Sequence, residues 1–288
     1  MIENTFSKGG ESAALSPYEF LLDSFDWSFS RVNAYAECPR MFKLQYIDCA
    51  NKEQNAFAEW GSLCHHVLEQ YFRGEKLLFE LTDVYETEYK TFVQHPFPPN
   101  KYKDLNESYY QAGFEYFSQF SGDYPDYEVI GVEQEICLTF GRFHFIGYID
   151  LILRDRRDQQ FVIVDHKSKS GFKNDEELNH YLLQLYLYSQ YIFETYGCYP
   201  KLLVFNMFRA GKLLKCQFVK SDFDKAVQWL ITSIESIYAD QSFKDKIALE
   251  YEQKNKDLST FKKNDYFCNY LCSVGRHCNR CGEKGGES

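Results

Sequence analysis

Residues 147–171 read GYIDLILRDRRDQQFVIVDHKSKSG and carry the strongest structural pattern in the chain. Two short apolar runs, 149–153 and 161–164, are rich in β-branched and aliphatic residues, and a charged turn separates them. Such runs are typical of adjacent strands that form a hairpin. Because Asp150 lies in the start of the first run and Asp165 follows the second, we predict that these two carboxylates lie close together in the fold.

A lysine follows the second carboxylate in this pattern. Lys167 lies one full side-chain alternation beyond Asp165, so both side chains point to the same face of the strand. Carboxylate oxygens are the ligands that hard divalent cations prefer, and an ammonium group offsets the charge of a phosphate that such a cation holds. We therefore predict that Asp150, Asp165 and Lys167 form a site for a divalent metal ion and a phosphate ester.

The composition indicates a globular protein. The chain has 288 residues, of which 44% are hydrophobic and 18% aromatic, and this content argues against a disordered chain. No apolar run approaches the ~20 residues that a membrane-spanning helix requires, and the N-terminal residues MIENTFSKGGES lack the apolar core of a signal peptide. We expect a cytoplasmic protein that makes no contact with a membrane.

The net charge of −10 argues against a general polyanion binder, but the basic residues are unevenly distributed. The segment 200–220 contains basic residues and no acidic residue. The small basic loop at 168–171 is also suited to close approach to a phosphodiester. We therefore expect Lys169, Arg209 and Lys212 to contact the phosphates of a nucleic acid.

Four further polar side chains occupy positions whose role the local pattern leaves open. His65 lies in a predicted helix, where a single histidine is more often a packing or solvent-facing residue than a catalytic one, although imidazole is a common metal ligand. Gln184 and Tyr188 share one face of a helix predicted at about 175–196, where a polar fringe to a buried stripe is as good an interpretation as a functional pair. Glu133 lies in a predicted strand and can point either into the site or into water.

Ten cysteines in a chain without an export signal are not expected to form disulfides. Five of them are scattered through apolar segments, where a small buried side chain is the usual role. Cys38 lies beside Pro39 at the junction of two predicted helices, and this local pattern alone indicates a structural residue. The remaining four are crowded near the C-terminus and suggest a metal site: Cys268, Cys272, Cys278 and Cys281.

The order of these motifs resembles that of RecB-type nucleases of the PD-(D/E)XK superfamily. The motifs are Gly61-x-x-x-His65, Gly147-x-x-Asp150, Asp165-x-Lys167 and Gln184-x-x-x-Tyr188. The stretch SFSRVNAYAECPRMFKLQYI at 28–47 also resembles the opening of the iron–sulfur members of that group, which include CRISPR-associated and AddB-like nucleases. The resemblance covers roughly residues 28–281. It implies an α/β fold with a restriction-endonuclease-like core, in which helices flank a central mixed sheet.

The resemblance implies a domain organisation and a role for each motif residue. We expect a partly ordered leader at 1–27 and a single nuclease domain at 28–288, with a helical insert at 75–127, a catalytic sheet and helix at 128–220, and a cysteine-rich segment at 261–281 that packs on the Cys38 region. By the same resemblance, His65, Asp150, Asp165 and the backbone carbonyl of His166 would hold Mg²⁺ or Mn²⁺.

The remaining motif residues would act on the reaction itself. By the resemblance, Lys167 would orient or activate the attacking water and offset the charge that develops on the scissile phosphate. Gln184 and Tyr188 would position the lysine, the water or the DNA strand. Hydrolysis of a phosphodiester needs both charge neutralisation and a nucleophile placed in line, and this set of groups can supply both.

The cluster-bearing members of the family hold a 4Fe–4S cluster with one early and three late cysteines. Cys38 fits the early position, and Cys268, Cys272 and Cys278 best fit the late positions. The late spacing has one extra residue between its first two cysteines, and Cys281 is an alternative ligand. A structural Zn²⁺ site formed by the four cysteines of the tail alone is the alternative to iron–sulfur.

The function that the resemblance implies is a metal-dependent DNA nuclease. The expected activity is an exonuclease that acts on single-stranded DNA or duplex ends in recombination or repair, in a stand-alone bacterial or phage-encoded enzyme. The chain has no P-loop of the G-x-x-x-x-G-K-[ST] type, so a helicase or recombination protein would have to unwind the duplex. The alternatives are CRISPR adaptation, a structure-specific endonuclease, an enzyme that acts on RNA or another phosphate ester, and a non-catalytic DNA-binding subunit. The sequence leaves the oligomeric state open.

Overall fold

A five-stranded mixed sheet organises the computed structural model, which describes residues 17–122, 124–240 and 266–278. The strands are β1 (Tyr127–Phe140), β2 (Phe143–Asp155), β3 (Phe161–Lys167), β4 (Leu202–Met207) and β5 (Lys212–Gln217). They lie in the sheet in the order of the chain, and neighbours are antiparallel except for β3 and β4, which are parallel. The prediction of a mixed sheet flanked by helices is confirmed.

Eight α-helices accompany the sheet in the described part of the chain. They are α1 (Pro17–Asp23), α2 (Phe29–Glu37), α3 (Pro39–Phe42), α4 (Ala56–Phe72), α5 (Leu81–Phe92), α6 (Leu105–Gln119), α7 (Asp175–Tyr196) and α8 (Lys220–Ala239). Side-chain oxygens of Ser28, Asn55, Asp104 and Asn174 accept backbone N–H groups at the starts of α2, α4, α6 and α7. These caps satisfy donors that the first helical turn leaves free. Over these same ranges, none of the helices has the length and apolar character needed to cross a bilayer.

The helix α7 makes the crossover that a parallel strand pair requires. It leaves β3 through a short loop, begins after Asn174 and ends at Gly197, whose φ of 77° is in the left-handed region that glycine adopts readily. Its buried side includes Leu185 and Tyr188. The helix therefore packs on the sheet beside the predicted carboxylate pair.

Three apolar clusters hold the layers together. The largest joins one face of the sheet to α2, α7 and α8, and it includes Ile149, Ile163, Leu185, Phe205 and Leu230. A second cluster lies among α4, α5 and α6 and includes Trp60, Tyr85 and Phe117. A third covers the other face of the sheet with Leu151, Val164 and Val204. Both faces of β2 and β3 are thus buried, which explains their nearly continuous apolar sequence.

The predicted segments are found as helices and strands where the structure describes them. The region 75–127 contains α5 and α6, and the predicted leader contains α1, in which Tyr18 and Leu22 are buried. Residues 1–16 of the predicted leader, most of the segment before Tyr266, and Cys281 lie outside the described residues. The proposed domain boundaries stay predictions.

Candidate active site

The structure brings Asp150 and Asp165 together where the β2–β3 ladder ends. The last paired residues of the ladder are Leu151 and Val164, so each carboxylate follows directly beyond the last pair. The side chain of Asp150 accepts a hydrogen bond from the backbone N–H of His166 over 2.6 Å. Burial, followed by repulsion from Asp165, raises the pKa of Asp150 to about 7. Asp165 is buried and Asp150 is half-buried, and two neighbouring carboxylates in such surroundings favour a positive charge beside them.

Lys167 supplies one positive charge beside this pair. Its Nζ lies 2.8 Å from Oδ2 of Asp165. That buried oxygen nevertheless accepts no hydrogen bond of good geometry from the part of the chain that the structure describes. Lys167 balances the charge of this carboxylate, and a metal ion would give Oδ2 the direct bond that the described residues do not supply.

His65 reaches the carboxylates from the helix α4. Its Nε2 lies 2.9 Å from the backbone carbonyl oxygen of His166, and its Nδ1 lies 3.6 Å from Oδ2 of Asp150. Burial lowers the pKa of His65, but the neighbouring carboxylates of Glu133, Asp150 and Asp165 outweigh it and raise the pKa above its ordinary value. The imidazole thus lies in a field that favours a cation.

Glu133 completes this group from the strand β1. Its Oε1 lies 3.9 Å from Nδ1 of His65, and ligand atoms of His65, Glu133 and Asp150 all lie within 4.8 Å of one another. One imidazole and carboxylate oxygens fit Mg²⁺ or Mn²⁺. The sequence left the direction of Glu133 open because strand alternation is broken nearby. The β1–β2 register shifts between Val129 and Gly131, and Glu133 itself has φ of 47°.

A hydrogen-bonded chain leads from Lys167 into α7. Nζ of Lys167 donates to Oε1 of Gln184 over 3.2 Å, and Nε2 of Gln184 donates to the hydroxyl of Tyr188 over 3.0 Å. The ring of Tyr188 lies directly on Gly147, where an added Cβ would be 2.6 Å from a ring carbon. The glycine before Asp150 is thus required by close approach of the helix.

A second polar chain lies behind the site and was not anticipated from the sequence. Nδ2 of Asn206 donates to the hydroxyl of Tyr116 over 2.7 Å and lies 3.0 Å from Nδ1 of His166. His166 is buried, and burial lowers its pKa well below the ordinary value, so its ring is neutral. Its ring also stacks on Phe72. An asparagine within an apolar strand was the only signal, and sequence does not show where such a side chain points.

The predicted phosphate-binding residues occupy three different settings. Lys169 forms an ion pair with Glu177 at 2.5 Å, and its Nζ lies 4.4 Å above the ring of Tyr181. Arg209 follows β4 and lies 4.1 Å above the ring of Tyr109. Lys212 is exposed at the start of β5. Arg209 and Lys212 line a cavity of about 270 Å³ whose lining includes neither Asp150 nor Asp165.

A separate cavity of about 460 Å³ opens in front of the metal-site residues. It is lined by side chains of α4, by Glu133 and by Ser168, with His65 in its wall. Phe57 also lines it. His65 and Glu133 are therefore accessible from this cavity.

Four of the five cysteines proposed for the cluster lie within the described residues. Cys38 lies at the junction of α2 and α3, and Cys272 is within electrostatic reach of Cys38, Cys268 and Cys278. Burial is the main cause that raises the pKa of Cys272. Cys278 is buried in the largest apolar cluster, so the tail packs against the body of the protein.

The fold and the site together define a metal-dependent nuclease. A sequence profile of the PD-(D/E)XK nuclease superfamily matches residues 26–279. The chain therefore belongs to the PD-(D/E)XK nuclease superfamily, whose members use divalent metal ions. Comparison with curated proteins gave no significant match.

Proposed function

We propose that the protein is a divalent-metal-dependent deoxyribonuclease of the RecB-type, iron–sulfur-containing branch, and that it acts as an exonuclease on single-stranded DNA or duplex ends. The observation that carries the proposal is the group of His65, Glu133 and Asp150, whose ligand atoms lie within 4.8 Å of one another, with the ion pair of Asp165 and Lys167 beside it. The imidazole and the carboxylates are metal ligands by type, and the lysine is a cation that can act on a phosphate.

Each residue has a distinct part in the proposed reaction. His65, Asp150, Asp165 and the carbonyl of His166 would hold Mg²⁺ or Mn²⁺, and Glu133 is a further candidate ligand. The bound ion would supply Lewis acidity at the phosphate and a lower pKa for a bound water.

The second group of residues serves the nucleophile. Lys167 would orient the attacking water and offset the charge that develops on the phosphate. Gln184 would fix the position of the lysine ammonium group through its 3.2 Å hydrogen bond, and Tyr188 would fix Gln184 in turn. Removal of Lys167 should therefore lower the rate without lowering the affinity for the metal.

An assay on end-labelled linear and circular DNA with Mg²⁺ or Mn²⁺ tests the activity and the need for an end. We expect linear single strands and duplex ends to be degraded and circles to survive. Lys167→Ala should lower the rate by about 10²–10³-fold, as expected for loss of one group that stabilises the transition state. Lys225→Ala is the matched control, because Lys225 is an exposed lysine of α8 that is paired with Asp222 and belongs to no proposed site. Undiminished digestion by Lys167→Ala would defeat the proposed role, and cutting of circles would replace the exonuclease by an endonuclease.

We propose a 4Fe–4S cluster held by Cys38, Cys268, Cys272 and Cys278. The proximity of Cys38 to the late cysteines supports a site that joins both ends of the domain, rather than one made from the tail alone. Anaerobically purified protein should contain iron and sulfide, and Cys38→Ser should lose both. Cys137→Ser, at an exposed thiol, is the control. Colourless protein with stoichiometric zinc would establish the zinc alternative.

The biological setting that we propose is recombination or repair in the cytoplasm, with a helicase or recombination protein to open duplex DNA. CRISPR adaptation would use the same chemistry. Degradation of an unwound substrate, but not of intact duplex, would support the need for such a partner.

A further inference from the structure

We propose that Tyr266 and Tyr270, together with Arg209, form a stacking platform that receives single-stranded DNA at the entrance to the metal site. The proposal rests on the nuclease function proposed above and specifies the form of DNA that the site accepts. It assigns a second role to the cysteine-rich segment, beyond that of binding a cluster.

The two tyrosines present aromatic surface to solvent. Tyr266 is 45% exposed and Tyr270 is 38% exposed, and their ring centroids are 5.2 Å apart. Both lie at the one-turn helix Phe267–Leu271. Adjacent exposed rings are the surface on which unpaired bases stack, and such stacking is tolerant of base sequence.

A continuous row of rings connects the platform to the substrate cavity. The ring of Tyr266 lies edge-on to that of Phe57, with centroids 6.5 Å apart. Phe57 also lines the cavity that contains His65 and Glu133. A strand whose bases stack on Tyr270 and Tyr266 would thus be led along Phe57 towards the metal-site residues.

The charges along this path are arranged for a phosphate backbone. Arg209 lies 4.1 Å above the ring of Tyr109, and that ring contacts Phe57 with centroids 5.3 Å apart. The cavity beyond contains carboxylates, including Glu69 and Glu133, which repel phosphates in the absence of a bound cation. Arg209, which lies outside the lining of this cavity, therefore provides the attraction for phosphates that the cavity itself does not.

The segment that carries the tyrosines is fixed to the body of the protein. The carbonyl of Ser273 accepts the backbone N–H of Glu53 over 2.7 Å, and its hydroxyl accepts Nε2 of Gln45 over 2.9 Å. Val274 is fully buried. This anchoring keeps the rings at a constant position relative to Phe57, so less entropy is lost when a strand binds.

The occupant is single-stranded because a duplex hides the faces of its bases in its own stack. A paired strand can offer phosphates to Arg209 but no base to Tyr266 or Tyr270. The aromatic contribution should therefore be absent for a blunt duplex, and the electrostatic contribution should remain for both forms.

Binding of a short oligodeoxynucleotide that contains 2-aminopurine tests the platform in the full chain. The experiment uses a Lys167→Ala background and no added divalent metal, so that cleavage does not interfere. We expect Tyr266→Ala and Tyr270→Ala each to weaken binding by about tenfold and to reduce the quenching of 2-aminopurine, within the range for one stacked base. Tyr266→Phe and Tyr270→Phe should retain both. Tyr102→Ala, at a tyrosine that is 82% exposed, is the control.

Three outcomes would overturn the platform: unchanged affinity in both alanine variants, equal losses for a blunt duplex, or tighter binding of the RNA oligonucleotide of the same sequence. Iron content and far-UV circular dichroism check that the segment is folded in each variant. Hydrolysis of a small nitrophenyl phosphodiester by the unsubstituted protein tests the metal site alone. If the protein does not hydrolyse this ester, the nuclease proposal is wrong. The binding experiment still shows whether the tyrosines bind single-stranded DNA.

Discussion

The backbone N–H of His166 donates to Oδ2 of Asp150 over 2.6 Å, while the carbonyl oxygen of the same residue lies 2.9 Å from Nε2 of His65. The peptide units on the two sides of His166 are therefore held by two of the proposed metal ligands. The backbone of His166 can therefore serve the proposed metal site while its side chain packs in the interior. It also links the sheet to α4 at the position where the metal would lie.

Glu133 provides the first prediction, because its backbone conformation is unfavourable for a non-glycine residue. We expect Glu133→Gly to stabilise the metal-free protein by about 1 kcal/mol, since φ of 47° costs roughly that amount for a residue with a Cβ. The same change should weaken binding of Mn²⁺ by about tenfold, which urea denaturation and calorimetric titration would measure. Glu133→Gln should weaken binding of Mn²⁺ without increasing the stability of the metal-free protein. Glu135→Gln is the control, and unaltered metal binding in both Glu133 variants would remove Glu133 from the ligand set.

Asn206 provides the second prediction, as a positioning residue. Asn206→Leu leaves the buried Nδ1 of His166 without its partner, which should cost about 1–3 kcal/mol of stability. Because the backbone of His166 is part of the proposed site, the Mn²⁺ concentration for half-maximal activity should also rise. Tyr116→Phe removes only the other partner of Asn206 and should have a smaller effect. A loss of stability with unchanged metal dependence would indicate a purely structural role.

Gly147 provides the third prediction through its contact with Tyr188. A Cβ at this position would lie 2.6 Å from a ring carbon, so Gly147→Ala should displace the ring and with it Gln184 and Lys167. We expect a loss of stability of about 1–3 kcal/mol, as for other overpacked sites, and a fall in the hydrolysis rate. In a Tyr188→Ala background the same glycine substitution should cost almost nothing. Equal costs in both backgrounds would contradict the proposed contact.

Asp155 provides the fourth prediction, which concerns pH. Hydrogen bonds from Arg157 and then from Lys201 hold the pKa of this buried carboxyl well below its ordinary value. Its ionised form therefore stabilises the fold above the unfolded pKa of about 4, and this stabilisation is lost as the pH falls below that value. The difference in stability between the unsubstituted protein and Asp155→Asn should be largest near neutral pH and should shrink below about pH 4, as urea denaturation would measure.

The neighbouring Asp126 is a suitable comparison for that experiment. Its Oδ2 is 3.8 Å from Arg157, but its side chain is 62% exposed, so solvent screens the pair. Asp126→Asn should change stability little at any pH. A difference for Asp155→Asn that is constant across the pH range would show that packing, rather than charge, is responsible.

The sheet and its helices could be predicted because their patterns are local. The apolar runs that flank Asp150 and Asp165 are strands in the structure, and the helix predicted at about 175–196 is α7 (Asp175–Tyr196). Periodicity of apolar residues is set by the burial of one or both faces, and it is visible without any knowledge of distant contacts. The convergence of Asp150, Asp165 and Lys167 follows from the same strands.

The rest of the site depends on contacts that the local pattern does not contain. The direction of Glu133 depends on a register shift and a positive φ, and neither has a distinct signature in the residues around it. Asn206 and Tyr116 are 90 positions apart in the chain and meet only through the packing of α6 against β4. Tyr266 and Phe57 are likewise distant in the chain and meet only in the folded protein.

The arrival of His65 from the α4 layer, rather than from the sheet, has a consequence for assembly. The four strands that follow β1 are contiguous in order along the chain, so β1 to β5 can pair largely between neighbours, with α7 as the one crossover. The proposed ligands of the divalent ion, by contrast, come from two layers. The affinity for the ion therefore reports whether α4 is packed on the sheet. A chain in which α4 is detached would keep its sheet and lose the ion, and added cation would favour the packed state.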